Sequence, residues 1–168
     1  MSVAAHRARS PVSVPCFVLT VSDTRTLETE TSGRAIANLL TEAGHTVVGR
    51  TVVRDEPDEV RRVVGDELRV GRARAIITTG GTGIARRDST YEALVSLLDK
   101  RLDGFGELFR MLSFEEIGAA AMLSRATAGI AGSCALFLLP GSENAARLAM
   151  RRLIIPELGH IVGELAKG

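Results

Sequence analysis

The sequence predicts an open α/β sheet with helices on both faces. Runs of apolar, β-branched residues recur along the chain, the pattern of strands buried on both faces. Between them lie segments whose apolar residues fall at helical spacing. Alternation of the two kinds is the mark of a sheet with crossover helices. At 168 residues the chain fits one domain and is long enough to bury a sizeable core.

The opening residues 1–13, rich in Arg, Ser and Pro, read as a loose tail before a domain at residues 14–168. They have no apolar centre of signal-peptide length, which argues against export. "VPCFVLTVS", Val14 to Ser22, is the first buried strand. After the polar loop "SDTRTLETETS", Thr31 or Ser32 caps a helix whose Ala35, Ile36, Leu39, Leu40 and Ala43 share one face. Gly44 closes that helix. "HTVVGRTVV" is the second strand, interrupted at Gly49. Pro57 then sits at a first helical position with acids around it, and the helix runs to Val70 with Val60, Val63, Val64 and Leu68 inward. "ARAIITT" is the third strand, and "STYEALVSLL" is the helix that follows its glycine turn. Residues 104–132 are less regular and read as broken helices. "SCALFLLPG" is a further buried strand, and residues 142–168 form a closing helix kinked at Pro156.

Ligands of such sheets collect beyond the carboxyl ends of the strands. Four strand ends therefore matter: Ser22–Asp23, Arg54–Asp55, Thr79–Gly83 and Pro140–Ser142.

Composition removes several functions. A net charge of +1 gives no polyanion-binding surface, and with no Trp and one Tyr there is no base-stacking platform. No nucleic-acid partner is expected. No run reaches the ~20 apolar residues that span a bilayer, so no membrane partner is expected either. Three scattered histidines and two cysteines argue against a dense metal site. Cys16 and Cys134 lie in strand-like runs and read as reduced, buried thiols. The chain reads as cytoplasmic.

The glycine turn in "IITTGGTGIARRDSTYEA", Ile76 to Ala93, carries the chemistry. Glycines allow positive φ, and their successive amides can form an anion-binding concavity. The spacing fits neither a Walker loop nor a dinucleotide fingerprint, and a purely structural turn is the plain alternative. Arg86 and Arg87 either neutralise phosphates or form a solvated pair. Asp88 either caps the next helix or holds a cation between itself and phosphates; Asp55 offers the same choice at a neighbouring strand end. Mg²⁺ is bound through one or two carboxylates plus substrate phosphates, so the set favours a Mg-nucleotide. A side chain at Gly81 is expected to obstruct the phosphates.

"LTVSDTR", "TSG", "EAGH", "TTGGTG", "RRDSTYEA", "GFGELFRMLSFEEIG", "LSRATAG" and "LPGS" occur in that order at fitting intervals. Over residues 14 to about 160 the chain resembles the molybdopterin adenylyltransferase family, related to the gephyrin G domain. "FRMLSFEEIG" and "SRATAG" bring it nearer the molybdenum cofactor biosynthesis protein B branch than the Mog branch. The resemblance implies a three-layer α/β/α fold with a mostly parallel sheet, trimers or hexamers, and binding of molybdopterin. In active members, Mg-ATP donates AMP to the terminal phosphate of molybdopterin and releases pyrophosphate. The family's two functional acids, with the metal, map onto Asp55 and Asp88. Its nucleotide loops map onto Thr79, Gly80, Gly81, Thr82 and Gly83, and onto Gly141 and Ser142. Its pterin groups correspond to Ser22, Asp23, Ser124 and Arg125. A carrier without turnover and a nucleotide-dependent regulator are the rival readings, and retention of both acids favours turnover. The apolar crowding between Gly104 and Gly118, Phe109 included, points to a subunit interface.

Overall fold

β1 (Pro15–Val21) is the first strand of the sheet in sequence, and it is buried from Cys16 onward. It pairs in parallel with β2 (Thr46–Val53) on one side and β3 (Ala75–Thr79) on the other. β3 pairs in parallel with β6 (Cys134–Leu139). Two shorter strands complete the sheet: β5 (Thr127–Ala131), antiparallel to β6, and β4 (Lys100–Arg101), antiparallel to β5. The computed structural model describes residues 2–167, and in them the strand order is β2-β1-β3-β6-β5-β4. The interruption expected at Gly49 is a register shift opposite Cys16 and Phe17. A Cβ at Gly49 would lie 2.9 Å from the Phe17 ring, so only glycine lets that ring sit there.

Two layers of helix cover the sheet. On one face lie α2 (Ser32–Glu42), α5 (Asp103–Ile117), α6 (Glu143–Ala149) and α7 (Ile155–Leu165). They press Ile36, Leu40, Phe109, Ala149 and Leu158 onto Cys16, Val18, Ile77 and Phe137. On the other face α3 (Pro57–Val70) and α4 (Thr90–Val95) set Val60, Val64 and Leu94 against Leu19, Ile76 and Leu136. Each such side chain contributes roughly 1.5–3 kcal/mol when fully buried. A six-residue helix such as α4 is far too short to persist alone, so this packing is what fixes it behind the glycine turn.

Three segments depart from the sequence reading. Residues 104–132 are not broken helices throughout: α5 is continuous, a 3₁₀ segment follows at Gly118–Leu123, and β5 comes next. The closing helix is interrupted before Pro156, by a π-helical turn at Met150–Ile154. Proline removes an amide and its ring crowds the carbonyl four residues back, so the adjustment falls in the preceding turn. The opening segment contains a helix, α1 (Val3–Ala8), that lies along α7. A Cβ at Gly159 would meet the Pro11 carbonyl at 2.6 Å, so glycine there allows the close approach. Among the described residues no helix is long and apolar enough to cross a membrane. Cys16 and Cys134 are free and buried, and burial pushes both thiols up to about 12.

Candidate active site

β1, β3 and β6 end side by side, and the loops that leave them enclose a cleft of about 700 Å³. Hydrogen bonds tie these loops together. The Thr79 hydroxyl donates to the Pro140 carbonyl at 2.8 Å, the Ser32 hydroxyl to the Gly141 carbonyl at 2.7 Å, and the Gly80 amide to the Leu139 carbonyl at 3.1 Å. Ser142 caps α6, its hydroxyl accepting from the Ala145 amide at 3.2 Å.

Gly80 and Gly81 have φ of +99° and +72°, a region that side chains rarely enter. The carbonyls of the turn are taken by partners on other segments. The Gly81 carbonyl accepts from the Thr90 amide at 3.0 Å. The carbonyls of Thr82 and Gly83 accept from the Arg125 guanidinium at 3.1 and 2.6 Å. A trans peptide sets its N–H opposite its C=O. The amides of Thr82 and Gly83 are thereby turned away from these partners, and neither has an acceptor among the described residues. Both residues line the cleft. Paired amides of this kind form a concavity for an anion.

Asp88 lies on the same wall. Its Oδ2 accepts from the Ala85 amide at 3.1 Å, while Oδ1 receives no donor among the described residues. It therefore does not cap α4. Asp55 stands behind the turn, 6% exposed, and is not part of the cleft lining. Its Oδ1 accepts from the Ser89 amide at 3.3 Å, the Ser89 hydroxyl at 2.8 Å and the Thr90 hydroxyl at 3.4 Å. Asp55 thus holds the start of α4, and not the start of α3. Burial pushes its pKa above the usual carboxylate range; the Ser89 bonds oppose this, and the charges of Asp88 and Asp23 add to it. One carboxylate oxygen on a cleft wall, beside a place for an anion, is a donor set that fits a hard divalent cation bound partly by ligand phosphates.

The remaining residues divide. Ser22 lines the cleft, and its hydroxyl accepts from the Thr24 and Arg25 amides at 3.3 and 3.0 Å. Ser124 also lines it, accepting from the Ala126 amide at 3.3 Å. Arg125 is there too, but its guanidinium braces the turn, pairs with Glu92 and lies over the Tyr91 ring. Asp23 is exposed outside the cleft, accepting from the Asp55 amide and pairing with Arg87 at 2.9 Å. That pair, then the amide, holds its pKa below the usual range. Arg87 also pairs with Glu56, so its charge is already answered. Arg86 is exposed and makes no ion pair among the described residues.

The family model described as "Probable molybdopterin binding domain" matches residues 17–160. This chain belongs to that family. Molybdenum cofactor biosynthesis protein B of Halalkalibacterium halodurans is 51% identical over 170 residues, covering 99% of each chain. A crystal structure of a molybdenum cofactor biosynthesis protein B superposes with a TM-score of 0.92 at 48% identity, covering 95% of this chain and 100% of that one. The tungsten cofactor synthesizing protein MoaB from Pyrococcus furiosus superposes at 0.84 and 38% identity, covering 92% of this chain and 98% of its own. The resemblance carried by the ordered motifs holds, and so does the α/β class with its mostly parallel sheet.

In this molybdopterin-binding domain the cleft also has residues the sequence did not mark. Glu30 is 2% exposed, pairs with Arg50, and accepts from the Thr20 hydroxyl at 3.1 Å and the Gly33 amide at 2.7 Å. It supplies the first-turn acceptor for α2 in place of the Thr31 side chain expected there. Nothing in "TLETETS" separates Glu30 from Glu28; the difference is the buried Thr20 beside it. Gly81 also differs from expectation. A Cβ there would meet the Thr90 hydroxyl at 2.0 Å and Asp55 Oδ2 at 3.0 Å. Its glycine is required by the elements behind the turn, before any ligand is considered.

Proposed function

We propose that this molybdopterin-binding domain acts in molybdenum cofactor biosynthesis by transferring AMP from ATP to the terminal phosphate of molybdopterin. The observation that carries the reading is the pairing of two unanswered amides, at Thr82 and Gly83, with the unanswered Asp88 Oδ1 on one wall. An anion alone is served by amides, and a carboxylate beside it is repulsive unless a cation stands between them. The names of the relatives and the family description are consistent with a pterin substrate. Ser22 and Ser124, which line the same cleft as Gly141 and Ser142, are the groups assigned to it.

A phosphate oxygen of the pterin attacks the α-phosphorus of ATP. The new P–O bond forms as the bond to the β-phosphate breaks, and pyrophosphate leaves with the electron pair. Such a transfer needs positioning and charge stabilisation more than a protein nucleophile. Neither cysteine and none of the three histidines lines the cleft. The amides of Thr82 and Gly83 hold phosphate oxygens, Gly141 and Ser142 bound the nucleotide, and Arg125 keeps the turn shaped. Asp88 would hold Mg²⁺, which when bound supplies positive charge to the phosphates; Asp55 fixes Ser89 and Thr90 beneath it.

Pyrophosphate release from Mg-ATP and molybdopterin tests the reading. Asp88→Asn is expected to lower the rate roughly 10²–10³-fold, as removal of a group that stabilises transition-state charge does. A wild-type chain that binds the pterin and releases no pyrophosphate is instead a carrier. Loss of turnover with loss of fold would be seen in thermal unfolding.

A further inference from the structure

The fold brings together two histidines that lie 154 positions apart in sequence. We propose that His6, His160 and Glu164 form a binding site for a divalent transition-metal ion of zinc's class, which clips α1 to α7. The three ligand atoms lie within 4.8 Å of one another. His6 Nδ1 is 2.6 Å from Glu164 Oε1, and His160 Nε2 is 3.7 Å from the same oxygen. Donors sharing a tetrahedral ion at ~2.0–2.1 Å stand about 3.3 Å apart, a value these two separations bracket.

The surroundings prepare the imidazoles for a metal. His160 Nδ1 lies 2.8 Å from Glu157 Oε2. When Nδ1 carries the proton and donates it to that carboxylate, the Nε2 lone pair is left facing Glu164. Carboxylate–histidine pairs of this kind orient ligands in metal sites. Glu157 is itself held by Arg7 of α1. Two imidazoles and a carboxylate form a set for zinc, nickel or copper, with a further position for water, and not for magnesium or calcium.

Lys167 marks the same point as attractive to cations. Its ammonium donates to Glu164 and lies 2.9 Å from His6 Nδ1, so it competes with a metal for those atoms. The site also meets a structural need. α1 has six residues, none of them buried, and cannot persist without an anchor. The His6–Glu164 and Arg7–Glu157 pairs hold it to α7, and a metal bond from His6 would add to them.

The metal-free full chain, titrated with zinc chloride against a chromogenic chelator, is expected to take one ion. His6→Ala and His160→Ala should each weaken binding at least about tenfold, Glu157→Ala by about tenfold, and Lys167→Ala should tighten it. Hydrogen exchange of amides 3–10 should slow on adding zinc to the wild type and stay unchanged in His160→Ala. Equal zinc affinity in wild type and the double-histidine variant would overturn the site, as would loss of zinc binding in Asp88→Asn instead. Absence of any zinc binding would leave a lysine-centred ion network and also overturn it. None of these residues touches the cleft, so AMP transfer succeeds or fails separately.

Discussion

Asp55 and Asp88 share a side chain and differ in every surrounding. Asp55 is 6% exposed and accepts three bonds through one oxygen from Ser89 and Thr90; Asp88 offers an oxygen to the cleft. The same substitution should therefore read differently at each. An asparagine at 55 keeps an acceptor for Ser89 and Thr90, so Asp55→Asn should hold AMP transfer within about tenfold, one ordinary hydrogen bond's worth. Asp55→Ala should lose far more, because α4 is released. If Asn is as damaging as Ala in the pyrophosphate assay, Asp55 belongs with the metal after all. Gly81→Val belongs to the same logic. Its Cβ runs into Thr90 and Asp55, so ATP and molybdopterin binding should fall together, with a lower unfolding temperature. Selective loss of ATP in calorimetry would show instead that the side chain reaches the phosphates. The glycine turn and Asp88 were legible in the sequence because a strand, three glycines and a polar helix start are neighbours in the chain. The bracing roles of Asp55 and Arg125 were not, since their partners lie 34 and 42 or more residues away.

At the scale of elements, legibility followed burial. β1, β3 and β6 are covered on both faces and read as unbroken apolar runs. β5 has the same burial, but "TAGIA" spends Gly129 on contact: a Cβ there would meet the Lys100 carbonyl at 2.5 Å. A strand whose glycine admits its neighbour's backbone has little strand signal of its own. β4, two residues long, had none. The approach to β1 depends on a titratable group the sequence left unremarked. The Val14 amide donates to His45 Nδ1 at 3.1 Å, and burial depresses the His45 pKa below its ordinary 6.5. A base with a depressed folded pKa stabilises the fold above its ordinary pKa, and that contribution is lost as pH falls through the folded value. Asp55, with its raised pKa, has the opposite sign: its contribution is present at low pH and is lost as pH rises. Comparison with His45→Gln isolates the histidine. The unfolding-temperature advantage of wild type over the variant should shrink between about pH 8 and pH 5.5. A gap that stays constant across that range would remove His45 from the account.

The whole molecule presents one face that its own core does not use. Leu108, Met111, Phe114 and Ile117 on α5 are 47–61% exposed, and Met122 and Leu123 continue the surface along the 3₁₀ segment at 76 and 52%. Phe109 is not part of it. At 1% exposure it lies in the core, against Phe105, which in turn meets Phe137. Phe109→Glu would bury an unpaired charge and unfold the chain, so it cannot report on assembly. Phe114→Glu can. The expectation is that this surface meets a different surface of the next copy, as the head-to-tail contacts of a closed ring of three, alone or paired into six, require. Ile117 and Leu123 also line the cleft, so assembly on this face would complete the cleft's mouth. Light scattering at micromolar concentration is expected to give a trimer or hexamer for the wild type and smaller species for Phe114→Glu. The variant should keep its unfolding cooperativity and bind molybdopterin more weakly. A wild-type monomer that still transfers AMP would remove the interface and leave the cleft assignment untouched, because Thr82, Gly83 and Asp88 come from one chain.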